Sequence, residues 1–175
     1  MVSKMMGAPF IRSRCTSRLR WACATARQTC HSIGRPAMGT VWAQGASATA
    51  NLVDALPRLE AEGVNVRVAS VISTELFESQ PSSYRERVLP QRSRYDSMVV
   101  STMTKRVPPI AGLGPLTEEY SLYADHDDRW RTGGTEADVI SEARLDADCV
   151  HDAVARFARE RDQRLDRQRR DLAEL

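Results

Sequence analysis

The sequence predicts an α/β domain of three layers, with a mostly parallel sheet of about four to five strands and a long C-terminal helix. Three observations carry this. The run VNVRVASVI at 64–72 alternates and then becomes continuously apolar, the pattern of a strand buried on at least one face. Twice, around 41–49 and again around 64–78, a strand-like run leads directly into helix-start signals. Strands alternating with helices argue for parallel pairing, with right-handed crossovers that cover both faces of the sheet.

The elements follow in order. GTVWAQGA gives a short strand at 41–44, and Gly45-Ala46-Ser47 turns into a helix with Ser47 or Thr49 as cap. Leu52, Val53, Leu56 and Leu59 form the apolar face of that helix; Pro57 should kink it or mark its last turn, and Gly63 stops it. Val64, Val66, Val68 and Val71 build the second strand. Ser73 or Thr74 then caps a helix with Glu75 and Glu78 in its first turn, where carboxylates meet the positive end of the helix dipole. Leu76, Phe77, Tyr84, Val88 and Leu89 supply an apolar face, interrupted by Pro81 and ended by Pro90. A third strand runs through 98–103, and TEEYSLY at 117–123 reads as a short edge strand. After the polar loop ADHDDRWR, ending at Trp130 and Arg131, Thr135 and Asp138 make a capping box for a helix with Val139, Ile140, Ala143 and Leu145 on its apolar side. Residues 148–175 read as one long helix. Val150, Val154 and Phe157 dock it on the domain, and a charged stretch pairing Glu160 with Arg164 and Asp166 with Arg170 projects into solvent.

A chain of 175 residues with 42% hydrophobic content suffices for one core of ordinary size. Only 6% is aromatic, so Val, Leu, Ile and Ala must build that core. No apolar run approaches the ~20 residues needed to span a bilayer, and a soluble, cytoplasmic protein is expected. The net charge of +2 hides an asymmetry: the first acidic residue is Asp54, so the basic excess belongs to the N-terminal end and the remainder is mildly acidic. Residues 1–38 carry no strand or helix period and are expected to be an irregular, disordered segment. Its composition permits an organellar transit peptide, which would change the compartment, or a basic arm for nucleic acid, although the arginines are scattered. The preferred reading is a stretch with no selected fold, translated ahead of a domain that starts after Met38. The division expected is therefore 1–38, the α/β domain at 39–158, and a charged helical tail at 159–175.

Chemistry-bearing patterns are sparse. Cys15, Cys23 and Cys30 match no common zinc or disulfide spacing, and Cys149 reads as a small packing residue. Asp125, His126, Asp127 and Asp128 lack calcium-loop spacing and read as a solvated acidic turn. Gly133 and Gly134 precede a helix and, with Arg129 and Arg131, make a minority candidate for an anion site; Glu136 and Asp138 in the same first turn oppose it. No catalytic, cofactor-binding or metal-ligating residue is assigned.

Particular wording adds a resemblance. GVNVRVASVISTELFESQPSSYRERVLP resembles the last domain of transketolases, where a strand of the type VRVVSMPS leads into a helix beginning ELFE. GTVWAQGASATANLVDALPRLEAEG is similar to that domain's first strand and helix, and TGGTEADVISEARLDADCVHDAVARFA to the family's final segment, together covering about 39–158. KRVPPIAGLGP and RWRTGGT depart from the family pattern, which points to a divergent branch or to a related thiamine-diphosphate enzyme such as the homodimeric pyruvate dehydrogenase component. The resemblance implies ketol transfer between sugars by a parent transferase. It also implies thiamine diphosphate and magnesium bound by two other domains through a GDG-type motif that this sequence lacks. What it implies for this chain is domain packing and dimer assembly, as a C-terminal domain, fragment or split subunit beside a polypeptide carrying the thiamine-binding domains. A free-standing binding or structural module without catalytic activity is the other expectation.

Overall fold

A computed structural model describes residues 26–30, 36–106, 109–129, 131 and 133–174. The strands are β1 (Ala26–Cys30), β2 (Thr40–Gln44), β3 (Arg67–Val71), β4 (Ser97–Ser101) and β5 (Leu122–Tyr123). The helices are α1 (Ala46–Ala61), α2 (Thr74–Glu78), α3 (Ser82–Val88), α4 (Gln91–Tyr95), α5 (Thr117–Tyr120), α6 (Glu136–Glu142), α7 (Ala147–Arg159) and α8 (Arg161–Ala173). The sheet order is β1-β3-β2-β4-β5. Four strands run parallel, with Val41 opposite Val68 on one side and Met98 on the other. β1 alone is antiparallel, pairing Ala26 with Val71 and Cys30 with Arg67. This is the mostly parallel α/β sheet that the residue pattern predicts.

Both sheet faces are buried, and alternation along each strand decides which face a residue serves. Val41, Ala43, Val66, Val68, Met98 and Val100 pack with Leu52, Leu56 and Leu59 of α1 and Val150, Val154 and Phe157 of α7. Trp42, Ala69, Val71 and Val99 pack on the opposite face with Phe77, Val88, Leu89 and Ile110. Trp42 is fully enclosed, yet its indole N–H is satisfied at 3.0 Å by the Ser97 hydroxyl. Among the described residues no helix is long and apolar enough to cross a membrane.

Helix ends follow local chemistry. α1 closes in a Schellman motif: Val64 N–H reaches Leu59 O at 2.9 Å and Gly63 N–H reaches Glu60 O at 3.0 Å, with Gly63 at φ 75°. Pro57 lies inside α1 without ending it, because the carbonyl it frees belongs to Val53 on the solvent side. Pro81 does interrupt the next helical run, separating α2 from α3. Ser73, rather than Thr74, caps α2, and the Thr74 hydroxyl donates to Pro109 O. The Thr135–Asp138 capping box forms as the sequence indicates.

α6 closes in a second Schellman motif, with Leu145 N–H on Ile140 O and Arg144 N–H on Ser141 O, both at 3.0 Å. Here the left-handed position is Arg144, at φ 54°. A non-glycine residue there costs on the order of 1 kcal/mol. Arg144→Gly is therefore expected to raise the unfolding free energy by about 0.5–1 kcal/mol in urea titrations; a variant less stable than the parent would contradict this.

Several expectations are corrected. Strand β1 arises within 1–38, which the sequence marks as irregular; ARQTC shows no apolar alternation because an edge strand is held by backbone bonds on one side only. The transit-peptide and basic-arm readings rest largely on 1–25 and 31–35, outside the described residues. Val64 and Val66 are buried but precede the strand, which starts at Arg67. α1 takes Gly45 rather than Ser47 or Thr49 as its cap, and its buried face uses Ala48 and Ala55 while Val53 stays 42% exposed. The 117–123 stretch is a helical turn followed by a two-residue strand.

The largest correction concerns the C-terminus. The single long helix is two, with Glu160 serving as the last cap of α7 and the first of α8. Nor does the charged end project freely. Arg164 is 1% exposed, bonds Asp96 at 2.5 Å and Phe157 O at 2.6 Å, and stacks 3.8 Å above the Phe157 ring. Gln168 donates to Tyr95 O at 2.8 Å, and Arg161 pairs with the other Asp96 oxygen at 2.7 Å. Asp166 pairs with Arg169 instead of Arg170. Polar side chains, not an apolar stripe, dock α8 on the domain.

Candidate functional site

Open parallel sheets take ligands beyond the carboxyl ends of their strands, where the direction of strand addition reverses. In this chain that place lies between β2 and β4: after β2 the chain adds β3 on one side, then β4 on the other. A cavity of about 980 Å³ opens there. Its lining comes from the start of α1, the segments after β4 and β5, and α6 with the turn that follows it.

One wall begins at Gly45, whose φ of 94° favours glycine and whose added Cβ would lie 2.1 Å from the Thr102 hydroxyl. Glycine thus brings the β2–α1 turn against the end of β4. Ser47, Thr102 and Thr104 set hydroxyls along this side. Asp125 fixes the next stretch, accepting from the Thr104 hydroxyl at 2.6 Å and from Lys105 N–H at 2.8 Å. Val139, Ile140 and Leu145 make the apolar wall opposite.

The residues singled out as an anion site all lie near this cavity, in an arrangement of their own. Asp127 takes Arg129 Nε at 2.7 Å and Arg131 Nη2 at 3.0 Å. Arg131 also donates to Ala124 O and, at 2.9 Å, to Glu142 O. Gly134 lines the cavity at φ 111°, while Gly133 faces open space. The amino end of α6 is filled by its own capping box: Asp138 accepts from Thr135 N–H at 3.0 Å and from its hydroxyl at 2.8 Å. Asp125, Asp127 and Asp128 are bound separately, Asp128 to Lys105 Nζ at 2.9 Å. Among the described residues no group of three or more His, Cys, Asp or Glu is placed to hold a metal ion.

Electrostatics match the geometry. The Arg129 hydrogen bond, assisted by Arg131, holds Asp127 well below the usual carboxylate range. Desolvation pushes Asp125 up, but the Thr104 and Lys105 bonds outweigh it and leave the group lowered. Asp138 is lowered by the Thr135 hydroxyl and N–H, and Asp146, which caps α7, chiefly by Cys149 N–H. Burial raises the Cys149 thiol, which suits a packing residue better than a nucleophile. Carboxyls lowered by folding contribute stability that is present above their unfolded value and is lost as pH falls through the folded one. The thermal midpoint is expected to stay level above about pH 5 and to fall progressively below about pH 4. Circular-dichroism melts from neutral to acid pH check this, and a midpoint unchanged at the acid end would contradict it.

The residues that sequence reasoning missed are polar and buried. Arg67, in β3, donates from Nη1 to the Ser93 hydroxyl at 3.0 Å and from Nη2 to Val88 O, tying α3 and α4 to the sheet. Asp96 and Arg164 link the start of β4 to α8. The signal for Arg164 was its position seven residues after Phe157, on the stripe already assigned to docking, but its charge argued for solvent.

Comparison with known proteins matches the fold. A family model described as the transketolase-like TK C-terminal domain matches residues 30–111. Over 62 residues the chain is 44% identical to Transketolase 1 of Pasteurella multocida, a match covering 35% of this chain and 8% of that protein. Over 68 residues it is 38% identical to Transketolase 2 of Aliivibrio fischeri, covering 39% of this chain and 9% of that one. The chain thus matches less than a tenth of the length of these curated relatives. Transketolase from Leishmania mexicana superposes with a TM-score of 0.54 at 20% identity, over 76% of this chain and 18% of that chain. A Pichia stipitis transketolase in complex with sedoheptulose 7-phosphate does so with 0.54 at 19%, over 75% and 18%.

Proposed function

From the premise that the chain carries a transketolase-like C-terminal domain, we propose that it serves as the non-catalytic packing and assembly module of a transketolase-like transferase. The observation that carries this is the coincidence of the family match with the observed β2-α1-β3 and β4 core, at residues 30–111. The reaction would be ketol transfer between sugars, performed by a polypeptide that holds thiamine diphosphate and magnesium. The residues of this chain do not fit that cofactor pair. Asp125, Asp127 and Asp128 beside the cavity are each taken by the chain's own donors, and Gly-Asp-Gly does not occur in the sequence.

The surface agrees with a packing role. Ile72 is 67% exposed, and Leu76 and Met103 are likewise exposed, all beyond the carboxyl ends of β3 and β4. Apolar side chains exposed at the carboxyl end of a sheet suit contact with another domain. Affinity purification of the full chain from its native cell tests the reading. Recovery of a polypeptide with thiamine-binding domains, in stoichiometric amount and lost in an Ile72→Glu/Met103→Glu variant, is expected. A chain that purifies alone, with no such partner, would favour a free-standing module.

A further inference from the structure

We propose that Arg18, Leu19, Arg20 and Trp21, in the segment leading into β1, fold back over the exposed apolar patch of Ile72 and Leu76 and cover it. The path of the chain carries the inference. β1 runs antiparallel to β3, and Ala26 at its start stands opposite Val71 at the end of β3. The chain before Ala26 therefore arrives at the carboxyl end of the parallel strands, beside Ile72, which follows Val71 directly. Ile72 is 67% exposed and Leu76 55%. The two are held close, because the Ser73 hydroxyl caps α2 by accepting from Leu76 N–H at 3.2 Å. Trp21 lies five residues before Ala26. An extended chain of that length spans about 17 Å, enough to bring Trp21 over both side chains.

The chemistry of the two surfaces is complementary. Glu75 and Glu78 are exposed on α2, and neither makes an ion pair among the described residues. No basic residue occurs between 72 and 84. The segment before β1 is the reverse: it holds no acid, and it sets Leu19 and Trp21 between arginines long enough to reach carboxylates at the rim of an apolar patch. The tether also favours this occupant, since a link of a few residues gives a local concentration that is roughly millimolar. A second copy of the chain suits the patch less well. An isologous contact there would set Glu75 and Glu78 against their own counterparts, and like charges oppose it. A partner domain docking at Ile72 would displace the segment. The fold-back contact is measured on the chain alone, so its failure would leave the assembly reading standing.

Photo-crosslinking of the full chain with p-benzoylphenylalanine in place of Trp21 tests this. Trypsin cuts after Arg67 and Arg85, so the probe should be recovered joined to residues 68–85. Mixing the probe-bearing chain with a ¹⁵N-labelled chain lacking the probe separates contacts within a chain from contacts between chains, and the adduct should carry only unlabelled peptide. Leu76→Glu should cut the adduct yield by roughly fivefold or more. It should keep the parent melting temperature, because the side chain is exposed. Arg18→Glu/Arg20→Glu leaves α2 untouched and should also lower the yield. The proposal is overturned if the probe does not reach residues 68–85, if the adduct carries ¹⁵N-labelled peptide in place of unlabelled, or if both variants crosslink as the parent does.

Discussion

Arg164→Met is expected to lose about 3–5 kcal/mol of folding stability, the usual result of removing one partner from a buried ion pair. The guanidinium holds three things together: the Asp96 carboxylate, the carbonyl of Phe157 and the Phe157 ring. Tyr120 extends the cluster. Its ring meets Phe157 edge-on with centroids 5.9 Å apart, and its hydroxyl donates to Glu160 at 2.9 Å. Without Arg164, Asp96 stays mostly buried with only Arg161 beside it, and α8 loses its central anchor. Arg164→Lys should recover little, since an ammonium has neither the planar fork nor the stacking face. Replacing Asp96 with Leu in the Arg164→Met background should regain part of the loss, because the uncompensated charge goes with it. Urea titrations of the variants measure all these values. A single Arg164→Met variant within about 0.5 kcal/mol of the parent would show α8 to be weakly attached.

Val41→Asp should abolish folding. Val41 is fully buried in β2, the strand paired on both sides, and lies between Val68 and Met98 in register. An unpaired carboxylate there costs several kcal/mol, against a total stability of about 5–15 kcal/mol for a typical domain. Val53→Asp provides the contrast. It sits on α1 and belongs to the apolar pattern read from the sequence, yet it is largely exposed, so its cost should stay within about 0.5 kcal/mol. Circular dichroism and solubility separate the two outcomes. A cooperatively melting Val41→Asp protein would be incompatible with β2 at the centre of the sheet.

Legibility in the sequence follows the physics of each element. β2, β3 and β4 were readable because parallel strands buried on both faces must be apolar along most of their length. α7 was readable because Val150, Val154 and Phe157 keep helical spacing. β1 was not, because backbone pairing at an edge leaves no demand on side-chain type. The docking of α8 was hidden for a different reason: its buried residues are Arg164 and Gln168, and their partners Asp96 and Tyr95 lie 68 and 73 residues away along the chain. The cavity was half legible. Arg129, Arg131 and Gly134 were found as neighbours in sequence, but α1, Thr102 and Asp125 reach the same place only through strand order.

Assembly of this chain with thiamine-binding domains is directly measurable by sedimentation velocity. The full chain would be mixed with a transketolase polypeptide ending before its own C-terminal domain. One faster-sedimenting complex of equal stoichiometry is expected, dissociated by Ile72→Glu/Met103→Glu while each component stays folded. Two independently sedimenting species at concentrations well above the micromolar range would contradict it.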